Sequence, residues 1–264
     1  TRAFHPGEQT SWQRNIAYPR LGFDSFKCGE DMDVPQTEEH GYVSDDSDFE
    51  QIIWEFEHKD ESTPLFLFNV TIQNHGSYTV EDYPAEVQLA DEPGAYPKAE
   101  QYLTLANKTD EAFKKLIDYF SAQTEPTILV MFGDHQPSVE QEFLDKAYGV
   151  TQDEMTMAQY MDKFKVPFII WANYPLTGDS TKITSLNFLA QYVLRNAGIE
   201  TSAYGKYLWN LQKTIPARCL VCLESFLDIA LCQFRSIRCK KIDPLLCFKK
   251  QITIQRTFKF FQNW

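Results

Sequence analysis

The most constraining feature of this sequence is a run of five apolar residues, Ile128-Leu129-Val130-Met131-Phe132, followed at once by Gly133-Asp134-His135-Gln136-Pro137. The run is too short for a helix and is rich in strand formers. It reads as a strand buried on both faces, as in a parallel sheet. Gly133 ends it, and Pro137 keeps it from resuming. Asp134 and His135 then fall just past the carboxyl end, where open α/β sheets bind ligands. A carboxylate beside an imidazole is a start toward a divalent-metal site. On those two residues alone, a plain polar loop after a core strand is the better reading.

Two further apolar runs share this design. Pro64–Ile72 ends in Gln73-Asn74-His75-Gly76-Ser77-Tyr78, and Val166–Ala172 closes a third strand. The strands near 65–72, 127–132 and 166–172 are expected to lie adjacent or nearly so. Helical spacing places Tyr102, Ala106, Thr109, Phe113, Leu116 or Ile117, and Phe120 on one face of a helix from Ala99 to Ala122. Phe49–His58 forms a shorter helix with Asp48 as N-cap and Phe49, Ile52, Ile53 and Phe56 inward. Ser185–Ala197 forms another, with Gly198 as its stop. Strands alternating with helices predict an α/β fold, a parallel-rich sheet flanked by helices. Residues 1–27 show no sustained period and read as a loop and short helix. Residues 29–48 read as an acidic surface loop, 79–98 as a long excursion, and 138–163 as a mobile-looking polar segment.

Composition divides the chain in two. The 264 residues carry a net charge of −12, which argues against nucleic acid as a partner. Residues 1–216 hold 16 Lys and Arg against 34 Asp and Glu, while 217–264 hold 9 against 3. Cys28 is the single cysteine of the first part; Cys219, Cys222, Cys232, Cys239 and Cys247 crowd the second. We therefore expect one domain over 1–216 and an atypical Cys- and Arg-rich tail over 217–264, best explained by a frameshifted reading. No apolar run reaches the ~18 residues of a membrane helix. The chain opens at Thr1-Arg2-Ala3-Phe4-His5 without an initiator Met, and reads as an excerpt whose targeting segments lie upstream.

Among the five histidines, His135, His75 and His5 sit at suggestive places; His40 and His58 lie in polar surroundings and read as solvated. Gly76 after His75 lets backbone approach a ligand closely. Arg14 suits bidentate binding of a phosphate or sulfate, and Trp12 suits a pocket wall; a surface lid with a structural ion pair explains the two equally well. There is no Gly-rich phosphate loop, Gly-x-Ser-x-Gly elbow or His-Glu-x-x-His. Cys219-x-x-Cys222 lacks a matching second pair.

Taken together, Ala3-Phe4-His5, Trp12-Gln13-Arg14-Asn15, Tyr18-Pro19-Arg20-Leu21-Gly22-Phe23, Phe68–Gly76, Met131–Pro137 and Val166–Asn173 resemble the lipoteichoic acid synthase family. These are phosphoglycerol transferases of the sulfatase and alkaline phosphatase superfamily. The matches fall in family order over residues 1 to about 216.

The resemblance implies that Asp134 and His135 are two ligands of one divalent cation, Mn²⁺ foremost, with Zn²⁺ or Mg²⁺ as alternatives. It implies that His75 contacts the phosphoryl group and protonates an alkoxide, and that His5, Trp12 and Arg14 grip a glycerol phosphate head group. The implied donor is an anionic glycerophospholipid and the implied acceptor a glycan or teichoic polymer. The implied location is the outer face of a bacterial cell membrane, reached through upstream helices. A sulfatase or phosphodiester hydrolase on the same scaffold, or a non-catalytic remnant, are the rival readings. The family nucleophile, a Thr, and a Glu ligand precede the stretch matching His5, so the isolated chain is expected to lack transferase activity. The six site residues are expected to converge on one open pocket.

Overall fold

The computed structural model describes residues 1–79, 81, 83–177 and 183–215. The Cys- and Arg-rich stretch 217–264, and the frameshift reading of it, lie outside the described residues. Strands are β1 (Arg2–His5), β2 (Ser25–Cys28), β3 (Glu38–Glu39), β4 (Tyr42–Val43), β5 (Leu67–Asn69), β6 (Ile128–Phe132) and β7 (Phe168–Ala172). Helices are α1 (Arg14–Leu21), α2 (Asp45–Glu57), α3 (Pro97–Ser121), α4 (Gln141–Tyr148), α5 (Met157–Asp162), α6 (Leu186–Asn196) and α7 (Ala203–Thr214). The chain divides into two units. One holds Thr1–Thr124 and Met131–Ile169; the other holds Glu125–Val130 and, among the described residues, 170–215.

In the first unit, β1 is the centre of a three-stranded parallel sheet. It pairs with β2 (His5 opposite Cys28) and with β5 (Phe4 opposite Asn69). Sequence periodicity missed β1 and β2 because each spans four residues, too few to establish alternation. Ala3, Phe68 and Val70 pack with Tyr18 of α1 into one buried cluster, with Phe23 and Phe26 against it. Tyr18 meets the Phe26 ring at 4.8 Å and the Phe68 ring at 5.8 Å, both edge-on.

The adjacency expected of the three apolar runs is only partly met. β5 pairs with β1, whereas β6 pairs with β7. Gly133 N–H donates to Pro167 O (3.3 Å), and Asn173 N–H donates to Thr127 O (3.2 Å). These two bonds count in opposite senses along the chain, so β6 and β7 run antiparallel. β6 is buried at Met131 and Phe132 and half-buried before them, so burial on both faces holds only at its carboxyl end.

Helix α2 begins earlier than its apolar spacing suggests. Ser44 is the N-cap and accepts from Ser47 N–H; Asp48 lies inside the helix and is wholly buried. The polar segment expected over 138–163 contains α4 and α5. Helix α2 packs on α3 through Phe49–Phe113 (6.1 Å) and Phe56–Phe120 (5.1 Å). Its opposite flank buries acids. Glu55 pairs with Arg2 and with Lys27 (2.8 Å), which ties the helix to β1 and β2.

Asp48 accepts from Asn69 Nδ2 at the end of β5. Burial, and then the neighbouring Asp45, push its carboxyl well above the ordinary carboxylate range. Unfolded Asp48 ionises near pH 4 while native Asp48 keeps its proton, so its contribution to stability falls as pH rises. Asp48→Asn removes that penalty. In urea unfolding, the gain of the variant over the parent should be larger at pH 8 than at pH 4. An equal gain at both pH values would contradict a protonated native Asp48.

Candidate active site

The chain after β5 is clamped before it reaches His75. Gln73 and Asn74 are buried, and both donate to the Thr109 hydroxyl of α3, at 3.1 and 2.9 Å. Thr109 donates in turn to Asp45 Oδ2 (2.6 Å), and Asp45 N–H donates to Gln73 Oε1 (2.9 Å). Tyr78 donates to Asn74 O (2.8 Å) and closes the loop around His75. The second loop is tied to α3 by Glu140, whose carboxylate accepts from Lys98 N–H (2.8 Å) and Ala99 N–H (3.0 Å). A carboxylate is well placed at a helix N-terminus.

An open cleft of 370 Å³ lies between these loops in the first unit, lined by Asn74, His75, Tyr78, Lys98, Tyr102, Asp134 and His135, with adjoining loop residues. Three of the six residues singled out by sequence thus line one cavity: His75, Asp134 and His135. Asp134 is nearly buried and His135 is exposed, with Nε2 of the histidine 3.5 Å from Oδ2 of the aspartate. Burial, then Tyr102 and the Asp134 carboxylate, hold the Tyr78 phenol above its ordinary range. Burial pushes Tyr102 up to about 12. Both therefore remain hydrogen-bond donors at any physiological pH.

The other three residues are not among those lining the cavity. His5 is not in a loop but ends the central strand β1, and is 1% exposed. Arg14 is also buried; it donates to Ser11 O (3.1 Å) and shares a hydrogen bond with Tyr18. Trp12 is 59% exposed. Trp12 and Gln13 both adopt left-handed backbone, at φ 58° and 54°, a conformation costly for non-glycine residues. His5 is close enough to Arg14 and His75 for both charges to depress its pKa.

His5, His75 and His135 share one device. Nδ1 of His5 lies 2.7 Å from Val70 O, that of His75 2.8 Å from Gly76 O, and that of His135 2.8 Å from Gln136 O. A carbonyl only accepts, so each neutral ring carries its proton on Nδ1 and keeps the lone pair on Nε2. Gly7 follows directly from this. A Cβ there would stand 2.6 Å from His5 Nε2, so glycine leaves that nitrogen open.

Sequence reasoning missed the tyrosines. Tyr42 Oη lies 3.4 Å from His75 Nδ1, yet Tyr42 falls in the stretch read as a surface loop. His40, read as solvated, is buried among the rings of Tyr42, Tyr78 and Tyr83, 5.4 to 6.2 Å away. Aromatic rings spread over 40 residues leave no periodic signal. Lys98 and Tyr102 could be found only by joining α3 to the His75 loop.

Asp134 and His135 supply an oxygen and a nitrogen donor, the chemistry a divalent cation takes. Among the described residues, no group of three or more His, Cys, Asp or Glu side chains could hold a metal ion. Two donors are half of a four-coordinate set. Asp134 and His135 therefore do not make a complete cation site among the described residues.

Residues 1–199 match the family pattern described as Sulfatase. The chain belongs to the sulfatase family. Among curated relatives, a Rhizobium meliloti (strain 1021) protein whose name refers to cyclic beta-1,2-glucan modification is 29% identical over 219 residues, covering 79% of this chain and 33% of that protein. The lipoteichoic acid synthase-like YvgJ of Bacillus subtilis (strain 168) is 28% identical over 171 residues, 63% of this chain and 27% of its own. The chain thus spans about a third or less of the curated relatives it matches. Of solved structures, the Streptococcus pyogenes phosphoglycerol transferase GacH, in complex with sn-glycerol-1-phosphate, aligns with a TM-score of 0.66 at 18% identity, covering 97% of this chain and 59% of GacH. That likeness carries the fold. The sulfatase-family α/β architecture and the kinship with lipoteichoic acid synthases read from the motifs both hold.

His5 makes the fold sensitive to acid. Burial first, then Arg14, lower its pKa to about 4, against 6.5 unperturbed; the bond to Val70 O only partly offsets this. As pH falls from about 6.5 to about 4, unfolded His5 takes up a proton that native His5 refuses. Stability is lost across that window, by up to about 3 kcal/mol. His5→Asn, which keeps a donor toward Val70 O, should flatten the change in urea midpoint between pH 4.5 and 7. An unchanged slope would contradict a neutral, buried His5.

Proposed function

We propose that this chain is part of a phosphoglycerol transferase that moves glycerol phosphate from an anionic glycerophospholipid to a cell-surface glycan or teichoic polymer. The observation that carries the reading is the cavity shared by His75, Asp134 and His135, at the carboxyl ends of β5 and β6 in a sulfatase-family chain. The names of YvgJ and GacH support the transferred group. Transfer, rather than plain hydrolysis, is favoured by Trp12 and Arg14, which plain sulfatases need not share.

In this reading His75 is the acid–base group. Its Nδ1–H is committed to Gly76 O, so Nε2 takes the proton of an attacking hydroxyl and, once protonated, gives it to a departing alkoxide at the phosphoryl centre. Lys98 and the Tyr78 and Tyr102 walls bound the cavity around that centre. Lys98 attracts the phosphate, and the aromatic walls restrict water. The family resemblance assigns Arg14, His5 and Trp12 to the head group; Arg14 would supply the positive charge, and His5, neutral, an open Nε2. Asp134 and His135 would hold a divalent cation, Mn²⁺ foremost, together with further donors. When bound, such a cation polarises the phosphoryl oxygens and activates a hydroxyl. The working place proposed is the outer face of a bacterial membrane. No helix among the described residues is long and apolar enough to cross one.

The test is calorimetric titration of the purified chain with sn-glycerol phosphate, with and without Mn²⁺. Binding should tighten with Mn²⁺. Asp134→Ala should remove the Mn²⁺ effect, and His75→Ala should weaken binding by about tenfold, the loss of one charge-assisted hydrogen bond. Mn²⁺ enhancement that survives Asp134→Ala would rule out this cavity as the site.

A further inference from the structure

A second cleft, of 290 Å³, lies between α6 and α7, wholly within the unit that carries both helices. Gln191, Arg195, Thr201, Lys206, Trp209 and Asn210 line it. None of them belongs to the cavity described above, and the proposed function does not use them.

Three observations bear on its ligand. The first is charge. Residues 186–214 carry three Lys and Arg against one Glu, in a chain that carries 25 against 37 overall. The second is Arg195. Its guanidinium carbon sits 4.0 Å from the centroid of the Trp209 ring, which Tyr192 braces edge-on at 5.2 Å. Stacking fixes the guanidinium plane and leaves its N–H edge free for a bidentate anion. Among the described residues no carboxylate pairs with it. Lys206 has Glu200 at 2.9 Å, but both are exposed, and such a pair yields readily to a ligand.

The third observation is Gln191. It is 7% exposed, and its Oε1 has no hydrogen-bond partner among the described residues. An unsatisfied buried amide oxygen costs about 1–3 kcal/mol, which a ligand hydroxyl would recover. Helix α7 closes on it through Gly205, where a Cβ would stand 2.6 Å from that oxygen. The terminal torsion of Gln is broad, so a small rotation turns the oxygen toward the cleft. Cationic donors for an anion beside an acceptor for a hydroxyl define a hydroxylated phosphate. A cleft of this volume admits a polyol or sugar unit.

We propose that the α6–α7 cleft binds a phosphate ester of a small polyol or sugar, with the phosphate on Arg195 and Lys206 and a ligand hydroxyl on Gln191. The proposal goes beyond the function argued above and stands or falls without it.

The test is residue-resolved NMR of the full chain, ¹⁵N-labelled, in the His75→Ala, Asp134→Ala background that disables the first cavity. It is titrated with sn-glycerol 3-phosphate at constant ionic strength, with glycerol and sodium chloride as controls. The Trp209 indole N–H and the amides of α6 and α7 should shift saturably with the ester and not with either control. Arg195→Gln should weaken binding about tenfold. Lys206→Gln, at an exposed position, should weaken it severalfold. A glycerol phosphate oligomer that binds tighter than the monomer would identify a polymer repeat as the ligand; equal affinity would identify the free ester. Absence of saturable shifts, equal shifts with chloride, or affinity unchanged in both variants would overturn the proposal.

Discussion

One buried hydroxyl holds the site together. Thr109 of α3 donates to Asp45 of α2 while accepting from Gln73 and Asn74 of the His75 loop. One proton and two lone pairs are all a hydroxyl has, so its capacity is full. The loop after β5 is thereby fixed to both packed helices before it emerges at His75. Removing any partner would strand buried polar groups, at about 1–3 kcal/mol each. The apolar contacts of α2 with α3 set where the helices lie. The polar joint sets where the loop leaves the sheet, and so which way the imidazole faces.

The backbone then decides what that imidazole can do. His5, His75 and His135 all spend Nδ1–H on a backbone carbonyl of a loop that follows a strand. The fold therefore fixes the tautomer as well as the position. An Nε2 lone pair suits proton transfer at His75 and cation ligation at His135; at His5 the same lone pair lies beside Gly7, where no side chain blocks it. Burial gives His5 its separate character, neutral through the physiological range because its charged form has lost its water.

The parts legible in the sequence were those with a long or sharp signal. The 25 residues of α3 announce themselves by apolar spacing, and β6 by five apolar residues closed by glycine. Asp134, His135 and His75 were legible because polar residues at the ends of apolar runs fall at a sheet's carboxyl edge. β1 and β2 were not, since four residues give no period, and β1 carries an arginine and a histidine. Asp48 reads as an N-cap because Asp suits that position before an apolar run; in the fold, Asn69 and a retained proton make its burial inside the helix tolerable. The antiparallel sense of β7 has no sequence signature, because half-buried apolar strands look alike in either direction. His40 was misjudged because its company is tertiary: Tyr78 and Tyr83 lie some 40 residues away in the chain.

The central claim is that His75, Asp134 and His135 form one phosphoryl-binding centre. It is tested most directly by a crystal structure of the chain soaked with Mn²⁺ and sn-glycerol phosphate, with the metal located by anomalous scattering. The account predicts an anomalous peak bonded to the Asp134 carboxylate and His135 Nε2, with a phosphate oxygen within hydrogen-bond reach of His75 Nε2. An anomalous peak elsewhere, or a phosphate in the cavity with His75 Nε2 turned away from it, would contradict it.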